Sequence, residues 1–108
     1  MNKVIPIGRG MRLERDVERT IRDLANDSGR VFVTRHAKER MLERRVTRPQ
    51  ILECLRKGRI TEPLHQEASG SWIGTFSRTV AGQDVDVVAK LQEKSDGEFV
   101  LVITVITP

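Results

Sequence analysis

The chain has 108 residues, 38% of them hydrophobic and 31% charged. That balance describes one ordinary folded domain rather than a disordered segment, and a chain of this length can bury a core without staples. The single cysteine, Cys54, excludes an internal disulfide framework and a cysteine-rich zinc site. The longest apolar run, Phe99 to Ile106, is too short to span a bilayer, and the N-terminus lacks the apolar stretch of a secretory signal. A cytoplasmic protein is therefore expected.

The net charge of +4 conceals an asymmetry. Residues 1–60 carry 16 Lys and Arg against 8 Asp and Glu, whereas residues 61–108 carry 3 against 7. The basic half strongly favours arginine, whose planar fork of donors suits phosphate. Segregated positive charge attracts polyanions, nucleic acid first among them, although solvated arginine faces are also common on helices.

In chain order, residues 1–10 read as a loose lead-in with Pro6, Gly8 and Gly10, and 11–108 as a single domain. Leu13, Val17, Ile21, Leu24 and Ala25 recur at helical spacing, predicting a first helix over about Arg12 to Asn26. Asn26-Asp27-Ser28-Gly29 stops it, and Val31 to Val33 reads as a short strand. Thr34 is placed to cap a second helix over Arg35 to Arg44, with Ala37 and Met41 inward and Leu42 packing at the edge. Thr47-Arg48-Pro49-Gln50 opens a third helix with a capping box and a first-turn proline. Gly58 is the expected left-handed residue at its end.

The pattern then changes to strands. Ile60 to Glu67 reads as an edge strand, since Pro63 cannot donate to a ladder. Trp72 to Val80 alternates, with Trp72, Gly74, Phe76, Arg78 and Val80 on one face. Ala81-Gly82 makes a tight turn into Asp84 to Leu91, and Asp96-Gly97 marks a second hairpin. Phe99 to Thr107 is apolar on both faces and so belongs inside the sheet. The expected fold is α+β: N-terminal helices packed on one face of a curled, mainly antiparallel sheet of four to five strands, the other face open for a site.

His36 and Arg40 stand one helical turn apart, on one face of the second helix. Histidine moves a proton near neutral pH, and arginine grips phosphate. Together they suit metal-free phosphodiester chemistry, which needs proton transfer and cations around the developing phosphorane charge. Arg78, a lone charge among apolar neighbours at a sheet rim or in a cleft, is a catalytic candidate with His36 and Arg40, and Arg35, Arg44 and Thr104 are candidates to bind substrate. Each has a plainer reading: His36 as a helix-start residue, Arg40 paired with Glu39 or Glu43, Arg44 and Arg45 solvated at the helix end. His65 is expected at the surface, Trp72 in the core, and Cys54 as a small hydrophobe. His36, His65 and Cys54 lack metal-ligand spacing, so no metal and no other cofactor is expected. A second proton-transfer group is not evident, with Glu67 and His65 unsupported by any spacing.

These residues carry a family resemblance. Phe32-x-Thr34-x-His36-Ala37-x-x-Arg40-Met41-x-x-Arg44, the Val46-Thr47 helix start, the Leu55-x-x-Gly58 helix end and the terminal Val102-x-Thr104-Val105 together resemble the domain-of-unknown-function family 4258. The likeness covers about residues 31 to 107. It implies a relation to the barnase, EndoU, colicin and RelE-like nucleases, the BECR fold. What that implies is a toxin-type ribonuclease that cuts RNA without metal, in some cases on the ribosome, and is restrained by an acidic antitoxin protein. The chain departs from several RelE-like nucleases in having no tyrosine. Two other readings compete with this one: a non-catalytic module that binds nucleic acid or the ribosome, and an interaction domain that docks an acidic partner on its basic helices.

Overall fold

A computed structural model describes residues 12–108. The expected lead-in at residues 1–10 lies outside them. Within the described residues the order is α1 (Glu14–Leu24), a single 3-10 turn (Ser28–Arg30), β1 (Val31–Val33), α2 (Arg35–Arg44), α3 (Arg48–Lys57), β2 (Arg59–Gln66), β3 (Trp72–Val80), β4 (Gln83–Lys94) and β5 (Gly97–Ile106). The five strands form one mixed sheet in the order β1-β5-β4-β3-β2. β1 lies parallel to β5, and the other neighbours are antiparallel. The fold is α+β, three helices on a five-stranded sheet.

The helices form where local chemistry supports them. Thr34 caps α2 by accepting from the Ala37 amide at 3.0 Å. Thr47 and Gln50 complete the capping box of α3, where the Gln50 side chain accepts from the Thr47 amide at 2.7 Å. α1 has no side-chain cap and is shorter than its periodicity predicts. Arg12 instead turns its guanidinium to Glu98 and Thr20, and Asp27 accepts from Gly29 to start the 3-10 turn.

One face of the sheet carries the core. Val85, Val87, Ala89 and Leu91 of β4, Val100, Val102 and Val105 of β5, and Phe76 of β3 are buried there against Val17, Ile21, Ala37, Ile51, Cys54 and Leu55 of the helices. Each such aliphatic side chain contributes about 1.5–3 kcal/mol relative to an exposed one. The apolar stripe of α2 is narrow. Only Ala37 is fully buried, Met41 packs partly, and Leu42 is 82% exposed rather than packed at the edge.

Two glycine expectations resolve differently. Ala81 and Gly82 have φ of 53° and 79°, and Gly97 has 122°, as the hairpin turns require. Gly58, expected to be left-handed, has φ of −71°. It is needed for space: a Cβ there would stand 2.4 Å from the Cys54 carbonyl oxygen and 2.9 Å from that of Ser77. The left-handed residue among the helix ends is Arg45, at φ 56° after α2.

Candidate functional site

The site is built where β1 gives way to α2 beside β5. β1 pairs with β5 for three residues, Val31 to Val33 against Val100 to Val102. The Thr34 amide extends the ladder by donating to the Val102 carbonyl at 3.1 Å, and its hydroxyl donates to the Ile103 carbonyl at 3.1 Å. Thr34 thus both caps α2 and anchors its start to β5. Opposite this point the β4–β5 register shifts, with Thr104 facing Val88 and Val102 facing Ala89, so Ile103 is the extra residue of a bulge. A bulge re-aims the side chains that follow it. Here it presents the Thr104 hydroxyl to His36, whose Nε2 lies 3.1 Å away. With the proton on Nδ1 the imidazole accepts from Thr104; in the other tautomer it donates.

His36 is exposed, in the first turn of α2, where the amides of Arg35 and His36 lack intrahelical partners. Around it the helix is strongly basic. Arg40 is turned back onto Glu43 of its own helix, the plainer of its two readings. The Arg44 guanidinium donates to Thr107 at 3.2 Å, while Gln83 donates to the Arg44 carbonyl at 3.1 Å, tying the helix end to β4 and β5. Arg35, Lys38 and Arg45 are exposed and, among the described residues, stand in no salt bridge. The structure therefore brings His36, Thr104, Arg35, Arg40 and Arg44 to one seam.

It does not bring Arg78 there. Arg78 pairs with Val85 on the helix-covered side of the sheet, and its Nε donates to Glu53 of α3 at 3.0 Å. By strand alternation Thr104, opposite Val88, points to the other face. Arg78 instead borders a separate cleft of about 560 Å³ with Lys57, Arg59, Ser77, Asp84 and Asp86. There the cations share the lining with carboxylates. His65 is exposed on β2, its Nδ1 donating to the Pro63 carbonyl at 3.2 Å, and Glu67 is paired with Lys90 at 2.9 Å. β2 is the edge farthest from β1, so neither completes the His36 seam.

Cys54 is buried, its thiol 3.1 Å from the Phe76 carbonyl it donates to. Burial, helped by the charge of Asp86, pushes that thiol up to about 12. Among the described residues no group of three or more His, Cys, Asp or Glu is arranged to hold a metal ion. Among the described residues no helix is long and apolar enough to cross a membrane.

Many arginines that give the sequence its basic half are structural ties. Arg22 donates to the Leu55 and Gly58 carbonyls at 3.1 and 2.8 Å. Arg48 donates to Ser28 and Val31, both at 2.6 Å. Arg30 binds Asp96 and the Glu98 carbonyl, and this pairing holds the exposed Asp96 carboxyl below its usual range. Sequence reasoning missed Thr34 as the link to β5 and missed the Ile103 bulge. The cap pattern signalled Thr34 in part; nothing local signals a bulge inside an unbroken apolar run.

The chain belongs to the family described as "Domain of unknown function (DUF4258)", which matches residues 33–107. That span begins in β1 and takes in both sides of the His36 seam. No curated protein and no solved structure matches the chain.

Proposed function

We propose that this member of the DUF4258 family is a metal-independent ribonuclease whose working site is the α2–β5 seam. The observation that carries the reading is an exposed histidine held at 3.1 Å from a threonine hydroxyl, at the start of a helix whose exposed Arg35 and Lys38 are in no salt bridge among the described residues. In this reading His36 takes the proton of the 2′-hydroxyl, whose oxygen attacks the adjacent phosphorus. The P–O5′ bond breaks, leaving a 2′,3′-cyclic phosphate, and the departing oxygen takes up a proton. Thr104 orients the ring. The free amides at the α2 start and the Arg35 guanidinium hold the scissile phosphate, and Arg44, two helical turns along, holds a flanking one, as helix N-termini and arginine forks do. Arg40 joins them by leaving Glu43, an exchange that costs little because a solvent-exposed pair is worth about 0–1 kcal/mol. The relation to the BECR nucleases, the ribosome as a place of action and an acidic antitoxin as partner belong to the same proposal.

The purified chain should cleave RNA in EDTA, and His36→Ala should lower the rate by roughly 100- to 10,000-fold with an unchanged circular dichroism spectrum. Undiminished cleavage by that variant would remove His36 from the mechanism. A second reading, binding without turnover, is favoured by one observation: among the described residues His36 is hydrogen-bonded to Thr104 and to no second histidine or carboxylate. It expects RNA binding that falls steeply with salt, no cleavage, and loss of binding in the Arg40→Ala/Arg44→Ala double variant. An interaction domain for an acidic protein would show neither cleavage nor RNA affinity.

A further inference from the structure

The sheet face away from the helices carries an aromatic pair that the seam does not use. Val31 and Val33 turn inward, so Phe32 between them points outward and is 38% exposed. Its ring meets Phe99 edge to face, with centroids 5.4 Å apart and planes at 87°. The Lys94 ammonium sits over both rings, 4.5 Å from the Phe32 centroid and 5.4 Å from that of Phe99. Lys94 is in no salt bridge among the described residues. Two of the acidic residues of this end are bound by arginines, Glu98 by Arg12 and Asp96 by Arg30.

Position gives this pair meaning. Phe32 stands opposite Leu101 on β5, and Thr104 follows three residues along that strand. At about 3.3 Å per residue the ring lies on the order of 10 Å from the His36–Thr104 contact, on the same face. A path therefore runs along β5 from the exposed Phe32 ring and Lys94, which is in no salt bridge among the described residues, to the exposed Arg35 and His36.

We infer that Phe32, with Phe99 behind it and Lys94 beside it, is a stacking platform for a base of single-stranded RNA whose neighbouring phosphate lies in the His36 seam. The inference rests on the RNA reading of that seam. An exposed ring flanked by cations on an open sheet is the arrangement by which bases are held, the ring taking the base and the cation the adjacent phosphate. Lys94 occupies the place a base would take, and its flexible stem lets the ammonium move to the phosphate. A protein occupant is less well matched: the patch is two rings wide and edged by lysine, while a stable interface needs about 1,000 Å².

The test measures fluorescence anisotropy of the full chain with a short labelled single-stranded RNA and with the same sequence as a duplex. The His36→Ala background keeps the probe intact. Adding Phe32→Leu, which preserves apolar bulk but removes the ring, should weaken single-strand binding roughly 5- to 100-fold. Duplex binding should change little. Adding Lys94→Gln should lower the salt slope by about 0.7. Unchanged single-strand binding in folded Phe32→Leu protein overturns the platform. So does a loss of self-association in that variant with RNA binding intact, which would assign the patch to a second copy. If the chain cleaves RNA through His36 while Phe32→Leu has no effect, the platform alone fails. If no RNA binds at all, both readings fall.

Discussion

Two basic regions of this domain look alike in the sequence and differ in the fold. The cleft beside Arg78 collects Lys57, Arg59 and Arg78, but its lining also holds Asp84 and Asp86, and Arg78 is bound to Glu53. The α2–β5 seam has Arg35 and Lys38 in the first turn of α2 with His36 and Arg44 and Arg45 at its far end, with Glu43 taken up by Arg40 and Glu39 exposed. In the first region Arg78 is bound to a carboxylate and Lys57 and Arg59, though exposed, share the lining with two more; in the second, exposed cations stand beside a group that can move a proton. Positive charge marks a ligand site only where the fold has not already spent it on its own carboxylates and carbonyls.

The sharpest way to break this contrast is to remove a key side chain from each region. His36→Ala should cost cleavage two to four orders of magnitude, roughly the contribution of one acid–base group. Arg78→Met should leave it within about twofold, since Arg78 lies on the far face of the sheet. An equal loss in both variants, measured on one RNA, would merge the two regions into a single site.

Next in size is the corner between α3 and β2, which shapes the Arg78 side. Gly58→Ala forces a Cβ against two backbone oxygens that cannot withdraw. Urea unfolding should show a loss of about 3 kcal/mol or more. A loss below 1 kcal/mol would mean that the corner relaxes and that the glycine is there for another reason.

On the seam side, Thr34→Val removes the α2 cap and its bond to Ile103 together. Stability should fall by about 1–2 kcal/mol, and cleavage should fall with it because His36 loses its anchor. A stability loss with full activity would show that the cap serves the helix alone.

Cys54 reports on the core beneath both regions. Its thiol should resist an aromatic disulfide reagent at pH 8 until the chain unfolds. The folded value near 12 lies above the ordinary value of about 8.5. The unfolded state therefore loses the proton first as pH rises, and stability should decline between these values. Cys54→Ala, though less stable throughout, should lack that part of the slope. The smallest effect is the Arg78–Glu53 pair itself: Arg78→Met should change stability by at most about 1 kcal/mol, because both partners are about one-third exposed.

Much of the fold was legible from local pattern. β1, α2 and β3 fall on the residues that alternation and capping predict, and the Thr47–Gln50 box and the two hairpin turns stand where their chemistry puts them. β4 runs to Lys94, beyond the expected Leu91, because Gln92, Glu93 and Lys94 pair with Phe99, Glu98 and Gly97 despite their polarity. Of the candidate site, the helix face of His36, Arg40 and Arg44 was visible, because i, i+4 spacing is a local property. That Thr104 would meet His36 and Arg78 would not depends on register and on a bulge, which no local pattern carries.

The division follows from the range of the forces. Side-chain periodicity, caps and turn residues act within a few positions, and by themselves they determined which segments became helices and strands and which way each strand's apolar face turned. Tertiary structure decided which cations remained available. Arg12, Arg22, Arg30 and Arg48 reach partners 8 to 86 residues away in sequence and are consumed as ties. Arg35 and Lys38 look the same in the sequence but project from a helix whose buried stripe is one alanine wide at its core, and among the described residues no salt bridge takes them up.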